Sequence, residues 1–206
     1  MEDVLEVYHR PYDRAYPVVC MDESNKQMVA DVVQAIACAP GRPKRIDHEY
    51  IRKGVAEIFM ATEPLTGAVT CRITETRTRK DWAAFIRDLL ECRYPDAKKV
   101  VFVMDNLNTH GIASLYATYP PEEALRLSNR LEIHYTPKHG SWLNIAEIEL
   151  SALSAQCLDR RFENKATLTT EVAAWEEQRN ARKKPVKWQF KTADARIKLK
   201  SIYPYI

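Results

Sequence analysis

Two stretches of this 206-residue chain end in the same way. Val18-Val-Cys-Met-Asp22 and Val101-Phe-Val-Met-Asp105 each run from apolar residues into Met-Asp. A carboxylate at the carboxyl end of a buried strand stands where α/β sheets hold their ligands. If the two strands are parallel neighbours, about 4.8 Å apart, Asp22 and Asp105 face one crevice. Adjacent carboxylates repel, and a hard divalent cation relieves that repulsion; Mg2+ takes a few carboxylates together with water and substrate phosphates. Either aspartate alone could instead cap the turn after its strand. Two further acids, Glu147 and Glu149, open a helical stretch just after the run Leu131 to Thr136. Two residues on a helix turn through about 200°, so they cannot both face one metal site. The apolar positions Leu143, Ile145, Ala146, Leu150, Leu153 and Leu158 leave the choice between them open.

Other chemistries lack their residues. The five glycines are isolated from one another, which excludes a P-loop and a dinucleotide-binding fingerprint. There is no HExxH, and Ser141 follows Gly140 without a GxSxG elbow. The five cysteines (20, 38, 71, 92 and 157) are odd in number and form no CxxC, so they read as reduced thiols of a cytosolic protein. The longest apolar runs are five residues, Ala35 to Ala39 and Val100 to Met104, too short to span a membrane. The acidic start, Met1-Glu2-Asp3, has no apolar h-region and predicts no secretory signal.

The elements that must position the acids follow from periodicity. Residues 1–15 are polar, contain Pro11 and read as a linker or arm. Pro17 to Asp22 reads as a buried strand, and Cys38 to Tyr50, with Pro40, Gly41 and Pro43, as a loop. Val55 to Thr62 and Ala68 to Thr76 form an antiparallel hairpin around Glu63-Pro-Leu-Thr-Gly67. Thr78 to Cys92 carries apolar residues at 82, 85, 86, 89 and 90, an amphipathic helix. Lys99 to Asp105 is a second buried strand. Helical turns follow over 108–129, interrupted by Pro120-Pro121; then come a strand at 131–136 and helices at 143–158 and 168–182. Two helical crossovers imply parallel strands, with 17–22 and 99–105 at the centre. The fold class is α/β, a mixed sheet flanked by helices.

Charge divides the chain unevenly. Between Gln178 and Lys200 there are nine Lys or Arg against one acid, Asp194; the remainder carries 22 basic and 27 acidic groups. A basic end on an acidic body fits an anionic partner such as nucleic acid, through Arg179, Arg182, Lys183, Lys184 and Lys187. A solvated helix face would show the same charges. After the second aspartate, Asn106, Asn108 and His110 could touch phosphate or satisfy a loop backbone. Trp142 reads as a core or helix-entry anchor, while His134, Trp175 and Trp188 read as structural.

Three segments together resemble one family: Cys20-Met-Asp-Glu23, Met104-Asp-Asn-Leu-Asn-Thr-His110, and Pro137-Lys-His-Gly-Ser-Trp-Leu-Asn-Ile-Ala-Glu147. Over residues 16 to 180 the chain is similar to the catalytic domain of DDE transposases of the mariner superfamily, in its bacterial insertion-sequence branch. The resemblance implies a ribonuclease H-like fold with a mixed five-stranded sheet over 16–182, and a basic C-terminal segment over 183–206. It implies Asp22, Asp105 and Glu147 as catalytic and metal-binding residues, with two Mg2+ ions that Mn2+ can replace. It also implies cleavage of transposon-end DNA and strand transfer into target DNA, with inverted repeats and target DNA as partners, a homodimer on DNA, and a bacterial cytoplasmic, nucleoid-associated location. The interval of 41 residues between Asp105 and Glu147 is long for the family, with Tyr116 to Arg130 supplying the excess. Family members carry N-terminal helix-turn-helix modules, so the chain is expected to correspond to the catalytic domain alone. Rival readings are a non-catalytic or truncated remnant that binds DNA or dimerises with full-length protein, and another ribonuclease H-like nuclease.

Overall fold

The computed structural model describes residues 1–138 and 140–200. Its frame is one five-stranded mixed sheet, in the order β3-β2-β1-β4-β5. The strands are β1 (Val18–Asp31), β2 (Tyr50–Glu63), β3 (Ala68–Thr74), β4 (Val100–Met104) and β5 (Leu131–Tyr135). β1 pairs antiparallel with β2 and parallel with β4, and β4 pairs parallel with β5. The two buried runs ending in Met-Asp are therefore central neighbours, as the sequence predicts.

β1 does not stop at the first aspartate. It continues through Asp31, and Asp22 already stands opposite Met60 on β2. The polar alternation after Glu23 hides this extension, because an exposed arm of a hairpin needs no apolar run. The long arm takes a register shift between Met28 and Val29, and Gly54 across from it has φ +107°, a backbone that side chains rarely adopt.

Strand alternation sends side chains to two different cores. Val19, Met21, Phe102 and Met104 meet α2 (Arg79–Asp88), α3 (Ile112–Tyr116) and α4 (Pro121–Ser128) through Trp82, Phe85, Ile86, Leu115 and Leu127. Thr78 starts α2 with a capping box closed by Asp81. On the opposite face, Val18, Cys20, Val101 and Val103 meet Leu143, Ile145 and Ala146 at the start of α5 (Ala146–Leu153). Further along that face, Ile58, Met60 and Val69 pack under Leu153 and the apolar side of α6 (Lys165–Arg182).

Both terminal segments hold more structure than their composition suggests. The expected arm contains α1 (Glu2–Tyr8), with Val4, Leu5, Val7 and Tyr8 buried against the α5 face. Four apolar residues in five positions are an amphipathic turn too short for periodicity to register. The basic end contains α7 (Thr192–Lys198), tied to α1 by Arg196 with Glu2 and Thr192 with Glu6. Among the described residues no helix is long and apolar enough to cross a membrane, and all five cysteines are free thiols.

Candidate active site

The register Cys20↔Val103 brings Asp22 and Asp105, each two residues further on, to the same end of adjacent parallel strands. Asp22 shares the face of Val18 and Cys20, and Asp105 follows Val101 and Val103; both thus belong to the side covered by α5. Glu147 lies in the first turn of that helix, where the exposed peptide N–H groups favour a negative charge. The three acids come from three separate elements.

The loop carrying Glu147 is fastened at several points. Buried Asn144 donates from Nδ2 to the Met21 carbonyl at 2.8 Å and accepts from the Ala146 N–H at 3.2 Å. One side chain thus ties the start of α5 to the residue before Asp22. The Tyr8 hydroxyl, from α1, donates to the Leu143 carbonyl at 2.6 Å and receives the Ile145 N–H at 3.4 Å. Gly140 is required for a steric reason: a Cβ there would stand 2.6 Å from Cγ of the Pro137 ring. His139 of the same motif lies outside the described residues.

The electrostatics of the three acids differ. Burial raises the Asp22 carboxyl to about 6, and the charges of Glu23, Asp105 and Glu147 add to this; the Glu23 N–H, donating to Asp22 Oδ1 at 2.8 Å, works against it. Asp105 is held below the usual carboxylate range, first by its hydrogen bond to His110. Among the described residues no Lys or Arg pairs with Asp22 or Glu147. A cluster of unneutralised oxygen donors is the donor set a hard divalent cation prefers.

A second constellation adjoins the first. The His110 side chain is fully buried, with Nδ1 at 2.5 Å from Asp105 Oδ1 and Nε2 at 2.5 Å from Glu23 Oε1. Its ring stacks on Trp82 with centroids 6.1 Å apart. Burial lowers the pKa of the ring, but the bonds and charges of Asp105 and Glu23 outweigh that and lift it to about 9. The ligating atoms of Glu23, Asp105 and His110 all lie within 4.8 Å of one another. Both ring nitrogens are already engaged in hydrogen bonds, so this trio is closed, whereas Asp22 and Glu147 remain open. Sequence reasoning missed Glu23. The available signal was strand alternation: two adjacent acids on β1 must face opposite sides, so Glu23 needs a partner on the α2 side.

With this geometry in view, the sequence matches the family model described as DDE superfamily endonuclease over residues 17–169. The chain belongs to that family. Solved structures share the fold of this DDE domain at low identity. The Mos1 mariner paired-end complex with Mn is 17% identical with a TM-score of 0.54, covering 87% of this chain and 54% of that one. The Mos1 strand transfer complex is 16% identical with a TM-score of 0.57, covering 84% and 50%. The mixed sheet with helices on both faces is accordingly the ribonuclease H-like architecture of those transposases. The DDE domain here spans about half the length of the Mos1 chains it matches. No curated protein sequence matches it.

The residues expected to meet DNA divide into two groups in the DDE domain. Arg182, Lys183, Lys184, Lys187 and Asn106 are exposed. Two others have partners within the protein. His110 is consumed by Glu23 and Asp105. Arg179 gives its guanidinium to Glu149 through Nε at 2.8 Å and Nη2 at 2.7 Å, with both side chains largely buried. Glu149 turns away from solvent toward this basic neighbour and forms a buried ion pair with it. Trp142 is about half exposed and meets the Phe190 ring edge-on at 5.9 Å, an entry anchor on the turn Ser141–Leu143 and not a core residue. His134 bridges Asp3 and Glu132, Trp175 is buried, and Trp188 packs on Tyr8.

Proposed function

We propose that Asp22, Asp105 and Glu147 are the catalytic carboxylates of a DNA transposase domain that cleaves transposon ends and transfers the cut strand into target DNA. The observation that carries this reading is the convergence of three acids from β1, the end of β4 and the start of α5, with the Asp22 carboxyl raised in part by the charges of the other two. Mutual repulsion of this kind in an apo site is relieved by cations. Asp22, Asp105 and Glu147 would hold Mg2+, or Mn2+ in its place, and two ions fit the DDE family to which the chain belongs. Held there, the metal would supply Lewis-acid activation of the attacking oxygen and charge stabilisation at the leaving oxygen of a phosphoryl displacement.

The protein's own residues supply binding and order. Asn106 and Asn108 are exposed beside Asp105 and can donate amide hydrogens to the DNA backbone. Arg182, Lys183, Lys184 and Lys187 offer an exposed cationic strip for phosphates. That strip runs into the Trp188 and Phe190 segment, whose Phe190 touches Trp142 just before the Glu147 helix. No side-chain nucleophile is required by this reading. Inverted-repeat and target DNA are the proposed partners, engaged by a homodimer, in the bacterial cytoplasm at the nucleoid.

The test is nicking of supercoiled plasmid DNA bearing a transposon end, with Mg2+ or Mn2+, beside an Asp105→Asn control. Metal-dependent nicking lost in Asp105→Asn supports the reading. Cleavage that persists in chelator, or in Asp105→Asn, overturns it.

A further inference from the structure

We infer that His110 is the positioning residue of this site: anchored by Glu23, it fixes the Asp105 carboxylate in the orientation that receives the metal. The inference rests on the three-carboxylate reading and deepens it.

Asp105 needs such a device. It lies one residue beyond β4, at the head of a loop in which Asn106, Leu107 and Asn108 are exposed, so the strand ladder no longer holds it. Apart from His110, the carboxylate is bonded by the backbone of Leu107, which belongs to the same loop. His110 ties it to the rest of the fold through Nδ1, at 2.5 Å from Oδ1. A carboxylate only accepts, so the ring nitrogen donates. One hydrogen bond from a mobile ring would fix nothing, and the ring is not mobile. Its other nitrogen donates to Glu23 Oε1 at 2.5 Å, and its face lies on Trp82. Its own backbone is held as well: the His110 N–H donates to the Leu107 carbonyl at 2.8 Å, and the Tyr135 hydroxyl donates to the His110 carbonyl at 2.9 Å.

The geometry also explains the paired acids Asp22 and Glu23. Adjacent on β1, they project to opposite faces of the sheet. Asp22 faces the α5 side, beside Glu147. Glu23 faces the α2 side and reaches Asp105 indirectly, through the imidazole. Asp105 is thus addressed from both faces. Its Oδ1 is taken by His110, and the Leu107 N–H adds a backbone hydrogen bond to the same carboxylate. Partners of this type orient metal-binding carboxylates and histidines generally, and their removal costs about 10–100-fold in metal affinity.

The experiment is Mn2+ titration of the whole chain, followed by loss of the free-ion EPR signal, with pulsed EPR on the bound ion to detect coordinated 14N. Asp105→Asn should lose the Mn2+ site. His110→Ala should weaken Mn2+ binding by about 10–100-fold while DNA affinity in Ca2+ stays at the wild-type value. Glu23→Gln preserves the shape of the buried side chain and keeps the variant folded if His110→Ala is not. It should shift Mn2+ affinity in the same direction by a smaller factor, and the double variant should be no weaker than His110→Ala. The wild-type pulsed spectrum should lack imidazole 14N coupling. Wild-type Mn2+ affinity in a folded His110→Ala or Glu23→Gln variant overturns the inference, and so does a 14N coupling that vanishes in His110→Ala, since His110 would then be a ligand. Mn2+ binding that Asp105→Asn leaves unchanged would instead remove the three-carboxylate reading, and the positioning role with it.

Discussion

Glu147 and Glu149 sit two residues apart on α5, and their surroundings differ in both burial and charge. Glu147 is half-buried, with no cation beside it among the described residues and with Asp22 near enough for the two charges to interact. Glu149 is 2% exposed and grips Arg179 through both oxygens. A buried acid with a bidentate arginine is satisfied and inert. An acid left among other acids is costly in the apo protein, and that cost makes it competent to take a cation. The same contrast separates Asp22 from Glu23, adjacent on β1: Glu23 is neutralised by His110, and Asp22 is not.

The largest effect that can break this comparison is on activity. Glu147→Gln keeps the volume and removes the charge, so it should reduce Mg2+-dependent cleavage by at least about 10^3-fold with the melting temperature maintained. Glu149→Gln should do the reverse, retaining the chemistry of the folded fraction while destabilising the chain by about 2–4 kcal/mol, because the Arg179 charge is left without its partner. Thermal melts and rates on both variants distinguish the roles. The double change Glu149→Leu with Arg179→Met should recover most of the lost stability.

A smaller effect concerns Asp22. Its carboxyl is raised to about 6 in the fold, so the folded state holds this proton more tightly than the unfolded chain, and the ionised group opposes folding above that pH. Asp22→Asn should therefore stabilise the apo protein by about 1–2 kcal/mol at pH 7–8. The gain should shrink as pH falls through 6 toward 4. Urea melts across that range check it, and a destabilised Asn variant would contradict it. The smallest effect separates paired from exposed basic residues. Charge reversal at Arg182, Lys183 and Lys184 should lower the salt dependence of non-specific DNA binding by about one unit of slope for each phosphate no longer neutralised. Arg179→Gln should leave that slope unchanged and lower stability instead.

The parts of this molecule legible in its sequence are those that bury a continuous run. β1 up to Asp22, β4 and α2 follow from apolar spacing, and so does the adjacency of the two aspartates. The outer half of β1 is half-exposed and polar, so it leaves no such mark. α1 is one amphipathic turn, below the length at which a period declares itself. Apolar periodicity leaves the choice between Glu147 and Glu149 to the family resemblance, because α5 inverts the usual pattern: Ile148 is 47% exposed and Glu149 is buried. Only the pairing with Arg179, 30 residues away, resolves that inversion. The role of His110 was hidden for the same reason. Its partner Glu23 is 87 residues distant in sequence and becomes a neighbour only once the sheet is assembled.

Whether Asp22 and Asp105 share a cation is decided by anomalous scattering from crystals of the protein grown or soaked in Mn2+. Density is expected between the carboxylates of Asp22 and Asp105, on the side facing Glu147, with the Glu23–His110–Asp105 hydrogen bonds intact. Strands adjacent as described but without Mn2+ between those two side chains would contradict it, as would an ion held by Glu23 and His110 instead.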